Sequence, residues 1–157
     1  MLYWVFDLDY TLYQMPNYID FHYKHLKNDN DLNYLLTILP LRKVLYTNGT
    51  IGHAEECLNI MGLNKKFDKK ICRETVNNIM KPNIQSFKHF KSLCNINKND
   101  KVVFFEDSIE NLIAAKKLGW ITVLIQPNKI KMKSIDFWFP NIHQALTFFN
   151  QKIYKTK

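Results

Sequence analysis

The chain has 157 residues, of which 46% are hydrophobic and 14% aromatic, a composition typical of one folded globular domain rather than of a disordered protein. No apolar run approaches the ~20 residues that a transmembrane helix needs. The apolar start at Met1–Phe6 is interrupted by Asp7 and Asp9, too early for a signal peptide, so we expect a cytoplasmic protein without a membrane span.

The net charge, the cysteines and the histidines exclude fewer classes of function than the composition does. A net charge of +8 makes a nucleic-acid partner possible, but the lysines are scattered and no basic RNA-binding motif accompanies them. Cys57, Cys72 and Cys94 are widely spaced and are expected to be reduced thiols. His22 and His25 form a close pair without Cys or acidic partners at ligand spacing, so a zinc site is not expected there.

Short apolar runs alternate along the chain with amphipathic segments, a pattern typical of βαβ units and a parallel sheet. Prolines and glycines at the segment ends support the helix boundaries. No repeat or flexible linker interrupts the pattern, so we predict one α/β domain over residues 1–157. In chain order, the predicted elements are strand Leu2–Phe6, helix Asp31–Leu39, strand Val44–Tyr46, helix Ile51–Met61, strand Lys70–Arg73, helix Asn83–Cys94, strand Val102–Phe105, helix Ile109–Leu118, strand Trp120–Ile125, strand Asp136–Phe139 and helix Ile142–Phe149.

Polar residues follow three of these strands directly, at Asp7–Thr11, Thr47–Gly49 and Glu106–Asp107. Ligands of open parallel sheets bind outside the carboxyl ends of the strands. Each cluster alone could be an ordinary turn or helix cap. Their coincidence, together with a Lys-Pro pair at Lys81, favours a shared functional site.

These residue types suit phosphoryl transfer. A carboxylate that attacks a phosphate dianion meets charge repulsion, so such a site needs a divalent cation and fixed positive donors. Asp7 and Asp107 offer the hard oxygen ligands that Mg²⁺ prefers, and Asp7 can also be the nucleophile. Asp9, two residues later, can protonate the leaving oxygen and then activate water.

Phosphate binding is assigned to three further residues. The Thr47 hydroxyl and the following backbone amide, that of Asn48, can hold phosphoryl oxygens. Lys81 supplies a compact positive charge for the same oxygens. The site predicted from the residues therefore combines a nucleophile, an acid/base, a metal and phosphate donors.

Four segments resemble, in order and spacing, the motifs of the haloacid dehalogenase-like superfamily. The first motif, DxDx(T/V), is similar to Asp7–Leu12, which reads DLDYTL. The second resembles TNG at Thr47–Gly49, and the third resembles Lys81–Pro82 before a helix. The fourth resembles Glu106–Gly119, which reads EDSIENLIAAKKLG.

This resemblance implies a Rossmann-like, three-layer domain with a parallel sheet and a Mg²⁺-dependent phosphatase activity. It assigns the nucleophile and a metal ligand to Asp7. It assigns the general acid/base to Asp9, with the Asp9 backbone carbonyl also on the metal. Thr47 and Lys81 would bind the transferring phosphoryl group, and Asp107 would complete the metal site.

Details of the motifs refine the expected roles of individual residues and the expected class of substrate. Glu106 stands where many relatives have Asp, and we expect it to support other site residues. Ser108 and Asn111 are expected to cap and orient the helix of the fourth motif. Tyr13, the TNG sequence and the DSxxN pattern are most similar to the pyrimidine 5′-nucleotidase branch, which implies a nucleoside monophosphate as a possible substrate. Because the dehalogenases of the superfamily lack the second acid, Asp9 favours phosphate chemistry.

The chain departs from that branch between its first two motifs. Relatives carry a helical cap domain there, whereas only residues 13–30 are available here as a reduced cap insert. Such a segment is too short for a normal lid, so we expect an open site. A second subunit or a large substrate would then cover it, and a homo-oligomer is possible. The aromatic side chains of the insert could alternatively pack against the core beside Tyr10.

Several alternatives remain open at this stage. The substrate could be macromolecular, such as a phosphoprotein or a nucleic-acid end. Receiver domains of response regulators collect similar residues, but their acceptor Asp lies mid-chain, whereas Asp7 lies near the start. A catalytically idle binding protein on the same scaffold is the third class. Every expected catalytic residue is present, which argues against it.

Overall fold

A six-stranded, all-parallel sheet forms the centre of the protein in the computed structural model, which describes residues 1–15 and 22–155. The strands are β1 (Leu2–Phe6), β2 (Arg42–Tyr46), β3 (Lys69–Ile71), β4 (Lys101–Glu106), β5 (Ile121–Ile125) and β6 (Phe137–Phe139). They lie side by side in the order β3-β2-β1-β4-β5-β6. The sequence of strands along the sheet therefore reverses next to β1, where α/β sheets place their ligands.

Helices cover both faces of this sheet, which gives the predicted three layers. In the described residues they are α1 (Asn30–Ile38), α2 (Ile51–Ile60), α3 (Ile84–Leu93), α4 (Ile109–Lys117) and α5 (Ile142–Lys155). One core lies between the sheet and α1, α2 and α5, and the other lies between the sheet and α3 and α4. The predicted Rossmann-like α/β fold is thus confirmed.

The residues of the central strand β1 show why helices cover both faces of the sheet. Trp4 and Phe6 of β1 point into the first core, whereas Tyr3 and Val5 point into the second. All four side chains are buried, so β1 reads as a continuous apolar run rather than as an alternating one. Phe6 also stacks on Phe105 of β4, with ring centroids 4.7 Å apart, which ties the two strands that carry the site.

The predicted boundaries agree with the structure to within two residues except at the last helix. The third strand ends at Ile71 rather than Arg73, because Arg73 already has helical backbone angles and precedes a short 3₁₀ helix at Glu74–Val76. The last helix continues beyond Phe149 to Lys155. No helix in the described part of the chain is long and apolar enough to cross a membrane.

The described ends of the predicted insert, residues 13–30, pack on the core. Tyr13 is buried, and Tyr23, in a 3₁₀ helix, donates a hydrogen bond from its hydroxyl to Glu56 of α2 at 3.0 Å. The positions of Tyr13 and Tyr23 agree with the alternative in which the aromatic side chains of the insert pack against the core. Tyr18 and Phe21, which belong to the same expectation, lie outside the described residues.

Candidate active site

A buried lysine joins the ends of three strands. Lys81, which precedes α3, places its Nζ atom 2.9 Å from Asp7 Oδ1, 2.8 Å from Glu106 Oε2 and 2.7 Å from the carbonyl oxygen of Tyr46. Asp7 follows β1, Glu106 ends β4 and Tyr46 ends β2. One ammonium group therefore contacts residues at the C-terminal ends of three strands. Burial alone lowers the pKa of Lys81, but the charges of Asp7 and Glu106 outweigh it and hold that pKa above its usual range.

Asn48 holds the backbone of this lysine. Its Nδ2 atom donates to the Lys81 carbonyl oxygen at 2.9 Å, and its Oδ1 atom accepts from the Lys81 amide at 2.9 Å. Both polar groups of the side chain are therefore directed at the Lys81 backbone. Only the backbone amide of Asn48 corresponds to the phosphate donor that we predicted from the sequence.

Glu106 connects the lysine to α4. Its Oε2 atom also accepts from Asn111 Nδ2 at 2.9 Å, and its Oε1 atom accepts from the backbone amides of Asp107 and Ser108 at 3.0 and 3.1 Å. Burial raises the pKa of Glu106, but Lys81 and these donors outweigh it and keep the pKa below its ordinary value. Glu106 is thus a buried, ionised support, as expected.

The helix cap beside Glu106 differs from the expectation. Ser108 occupies the N-cap position of α4, but its side chain makes no capping hydrogen bond and contacts Glu110 at 3.1 Å instead. The Glu106 carboxylate accepts the Ser108 amide in its place. Asn111 orients the helix through Glu106 rather than through a cap.

Asp7 and Asp107 face each other across Thr11, whose Oγ1 lies 3.3 Å from an oxygen of each carboxyl group. Burial raises the pKa of Asp7 to about 7, and the charge of Glu106 adds to the rise. Burial also raises the pKa of Asp107 to about 8, with further contributions from Glu106 and Asp7. Both pKa values are therefore raised first by burial and then by the neighbouring negative charges.

The same three carboxyl groups fit a hard divalent cation. Carboxylate oxygens of Asp7, Glu106 and Asp107 lie within 4.8 Å of one another, and Lys81 is the buried ammonium group that Asp7 and Glu106 share. A group of oxygen ligands with excess negative charge is the donor set that Mg²⁺ prefers. Both Asp7 and Asp107 of the predicted metal set lie in this cluster.

Asp9 lies beside the cluster with its own partners. Its Oδ1 atom accepts hydrogen bonds from the Tyr13 hydroxyl and, at 2.7 Å, from His53 Nε2. The backbone turns sharply after Asp9, because Tyr10 adopts a left-handed conformation with φ of 63° that non-glycine residues seldom use. The turn leaves the Tyr10 side chain exposed while Asp9 reaches α2.

A second group of ligand-type atoms lies on this side of the site, formed by Asp9, His53 and Cys57. Burial raises the pKa of the Cys57 thiol to about 12, with the charge of Asp9 contributing. The thiol is therefore protonated near neutral pH, and the thiolate that a soft metal needs is disfavoured. The hard-oxygen group is the better candidate for a metal.

The structure thus brings the predicted Asp7, Lys81 and Asp107 into direct or shared contact. Thr47 Oγ1 accepts from the Gly49 amide at 3.0 Å at the end of β2, on the same edge of the sheet. Thr11 could have been found, because it belongs to the DxDxT pattern. The carbonyl of Tyr46 and the side chain of His53 carry no signal in a single sequence.

Comparisons with known proteins agree with this arrangement. The family model of the haloacid dehalogenase-like hydrolases matches residues 23–119, which include Thr47, Lys81 and Asp107 but not Asp7. The L-2-haloacid dehalogenase of Xanthobacter autotrophicus superposes with a TM-score of 0.66 at 17% identity, over 81% of this chain and 62% of that one.

Two further structures share the fold. A HAD phosphatase from Thermococcus onnurineus matches at 21% identity and a TM-score of 0.61, over 77% of this chain and 57% of its own. An uncharacterized protein from Listeria monocytogenes serotype 4b matches at 16% identity and a TM-score of 0.61, over 97% of this chain and 99% of its own. This chain therefore spans less than two thirds of the dehalogenase and of the phosphatase, and the likeness concerns the fold alone.

Proposed function

The chain belongs to the haloacid dehalogenase-like hydrolase family, and from this premise we propose that it is a Mg²⁺-dependent phosphomonoesterase that forms an aspartyl-phosphate on Asp7. The observation that carries the proposal is the buried Lys81 ammonium between Asp7 and Glu106, with the Asp107 carboxyl beside them. Such an arrangement binds a cation and a phosphoryl group together, as phosphoryl transfer requires.

The contacts of Asp7 support its proposed role as the nucleophile. Lys81 binds its Oδ1 atom, and Thr11 lies 3.3 Å from its Oδ2 atom, so the carboxyl group is held on both sides. An Asp7 oxygen attacks phosphorus while the bond from phosphorus to the ester oxygen breaks, and the leaving oxygen takes a proton from Asp9. Water then attacks the phosphorus of the aspartyl-phosphate and gives a proton back to Asp9, while the bond from phosphorus to the Asp7 oxygen breaks, which releases inorganic phosphate and regenerates the Asp7 carboxylate.

The cluster of carboxyl groups and the resemblance to the family support the assignment of the metal ligands and phosphate donors. The Asp7 and Asp107 carboxylates, with the Asp9 backbone carbonyl, would hold Mg²⁺, which when bound offsets the repulsion between the nucleophile and the phosphate dianion. The Thr47 hydroxyl and the amide of Asn48 are the donors assigned to the phosphoryl oxygens, and Lys81, whose ammonium binds Asp7, Glu106 and the Tyr46 carbonyl, supplies positive charge for the same oxygens. Glu106 keeps Lys81 in position.

Asp9 favours phosphate esters over halides as substrates. A halide leaves without a proton, whereas an alkoxide leaves far more readily when an acid protonates it. A side chain held by Tyr13 and His53 beside the nucleophile serves the second reaction and not the first. We therefore propose ester hydrolysis rather than dehalogenation.

The rim of the site suggests the substrate class. Tyr10, Ile51 and Met80 are 47%, 41% and 41% exposed, and each lies within a few residues of a proposed site residue. Exposed apolar side chains in such a position can contact an aromatic or apolar part of a substrate. A nucleoside monophosphate is the small-molecule candidate, and a phosphorylated macromolecule is the alternative for an open site.

Phosphate release from purified protein tests the proposal. The panel should contain an aryl phosphate, nucleoside monophosphates, sugar phosphates, a phosphopeptide and a 5′-phosphorylated oligonucleotide, each with Mg²⁺ and with EDTA. We expect Mg²⁺-dependent release from at least the aryl phosphate. Absence of release from every substrate, or release that EDTA leaves unchanged, would overturn it.

A further inference from the structure

We propose that His53 is a positioning residue that fixes the Asp9 carboxyl group, so that Asp9 Oδ2 rather than Oδ1 carries the transferred proton. This inference rests on the proposed function, because it concerns how the acid/base of that reaction is oriented. It assigns a role to a residue of α2 that none of the sequence motifs contains. It also assigns a role to the segment that follows the first motif.

The two oxygens of Asp9 have different surroundings. Oδ1 accepts from the Tyr13 hydroxyl and from His53 Nε2 at 2.7 Å. Within residues 1–15 and 22–155, no donor is hydrogen-bonded to Oδ2. An oxygen that already accepts two hydrogen bonds must lose one of them to become a donor, whereas Oδ2 can take up and release a proton without such a loss.

Oδ2 also faces the phosphate side of the site. A Cβ atom added to Gly49 would lie 3.7 Å from Asp9 Oδ2, 3.3 Å from Thr47 Oγ1 and 3.0 Å from His53 Cδ2. Oδ2 therefore borders the same small space as the hydroxyl assigned to the phosphoryl group. Because glycine leaves this space open, the His53 ring can approach Asp9 from one side while a leaving oxygen can approach from the other.

The orientation of His53 is itself determined by its neighbours. His53 lies in the first turn of α2, where its amide donates to the N-cap residue Thr50 at 3.2 Å. The Tyr23 ring packs edge-on against the imidazole at 90°, with centroids 4.6 Å apart, and the Tyr23 hydroxyl is bound to Glu56. The ring has little freedom to turn away from Asp9.

Two described residues of the segment after the first motif, Tyr13 and Tyr23, thus support the orientation of Asp9. Tyr13 donates to Asp9, and Tyr23 packs on the histidine that donates to Asp9. Together these contacts orient the acid from within the main domain. The role of His53 requires only a hydrogen-bond donor at Nε2, which the neutral imidazole supplies when that nitrogen carries the hydrogen.

The test compares leaving groups in Mg²⁺-saturated protein. The value of kcat/KM is measured for p-nitrophenyl phosphate, whose leaving group needs no acid, and for glycerol 2-phosphate, whose leaving group does. We expect His53→Ala to lower the alkyl value about 10- to 100-fold and the aryl value far less, a loss no larger than the ~10²- to 10⁴-fold that a general acid itself contributes. His53→Gln, which restores a donor, should recover most of the alkyl rate.

Two variants serve as references. Asp9→Asn should show the same selective loss more strongly, and Tyr34→Phe, at an exposed position of α1, should leave the ratio of the two kcat/KM values unchanged. If His53→Ala does not fold, Tyr13→Phe removes the other Oδ1 donor and should again lower mainly the alkyl value. Circular dichroism and thermal unfolding check each variant.

The outcomes separate this inference from the proposed function. Equal losses on both substrates in His53→Ala, or in Tyr13→Phe if that variant is needed, would overturn the positioning role and leave the phosphatase proposal standing. If the wild-type protein is active but Asp9→Asn shows no selective loss on the alkyl ester, Asp9 is not the acid, and this inference fails with that role. Failure of wild-type protein to hydrolyse either ester would overturn both.

Discussion

The Lys81 ammonium and the Asp7 carboxyl group form a buried ion pair, with 2.9 Å between Nζ and Oδ1. Only 1% of the lysine side chain and 10% of the aspartate side chain are exposed, so water contributes little to the solvation of either charge. The pair therefore depends on the protein around it, above all on Glu106. Removal of one member leaves the others buried without compensation.

Lys81→Met should consequently destabilise the protein by about 3–5 kcal/mol, the range for breaking a buried ion pair by removing one partner. Denaturant unfolding of the metal-free protein measures the loss. The double variant Lys81→Met, Glu106→Gln should lose less, because it no longer leaves the Glu106 carboxylate unpaired. A loss below about 1 kcal/mol in the single variant would contradict the importance given to this pair.

Asp7→Asn should abolish turnover while preserving the fold, because the amide keeps the shape of the side chain but is not a nucleophile. We expect activity to fall by at least ~10³-fold, as for the loss of a covalent nucleophile in other enzymes. Fluorine NMR should detect a beryllium fluoride adduct in wild-type protein only. Asp31→Asn, at an exposed position in the first turn of α1, is the matched control. Undiminished turnover in Asp7→Asn would refute the covalent mechanism.

The stability of the metal-free protein should fall as pH rises from about 4 to about 8. The folded-state pKa values of Asp7 and Asp107 are about 7 and about 8, above the ordinary value of 3.8. The folded protein therefore binds more protons than the unfolded chain in this window, and the stability that this difference contributes is lost as pH passes the folded-state pKa values. Thermal unfolding at several pH values measures the trend.

Magnesium should reverse this loss, because it competes with protons for the same oxygens. At 100 times its Kd, a bound ligand adds about 2.7 kcal/mol, which corresponds to roughly 5–10 °C in Tm for a domain of this size. We expect that gain at pH 8 and little at pH 5. Asp107→Asn should reduce the gain at pH 8. A gain independent of pH would mean that Mg²⁺ binds elsewhere.

Small phosphomonoesters should be hydrolysed weakly, with KM above ~1 mM, the upper end of the usual range. The segment after the first motif is too short for a normal cap, and its described residues Tyr13 and Tyr23 contact Asp9 and His53, so we expect little of the binding energy that a lid supplies. Steady-state kinetics on nucleotides and sugar phosphates measure KM, and light scattering gives the mass of the active species. A KM in the micromolar range for one nucleotide, with selectivity for its base, in a monomeric protein would contradict this expectation.

Much of the fold could be predicted because the hydrophobic periodicity of the strands and helices, and the glycines just beyond the helix ends, are local features of the sequence. β1 is apolar throughout because it is covered on both faces, and Gly62 and Gly119 have positive φ just beyond α2 and α4. The boundary of β3 could not be predicted, because nothing local distinguishes the extended backbone of Ile71 from the helical one of Arg73.

The site was predictable where chemistry requires a particular side chain directly after a strand, as for Asp7 and Asp107. It was not predictable where a role depends on tertiary contacts. His53 looks like an ordinary residue of an amphipathic helix until Asp9 is placed 2.7 Å away. The Asn48 backbone amide was assigned to phosphate, but no signal in the sequence indicated that the Asn48 side chain would bind two backbone groups of Lys81.

The two hydrogen bonds between Asn48 and Lys81 join loops that are 33 residues apart in the sequence. The loop that carries Thr47 and the loop that carries Lys81 consequently behave as one mechanical unit. These bonds oppose a displacement of one loop relative to the other, so the separation of the two residues proposed to bind phosphate is set when the chain folds. If they bind phosphate as proposed, the conformational entropy of bringing them together is lost before a substrate arrives, and little ordering remains to oppose its binding.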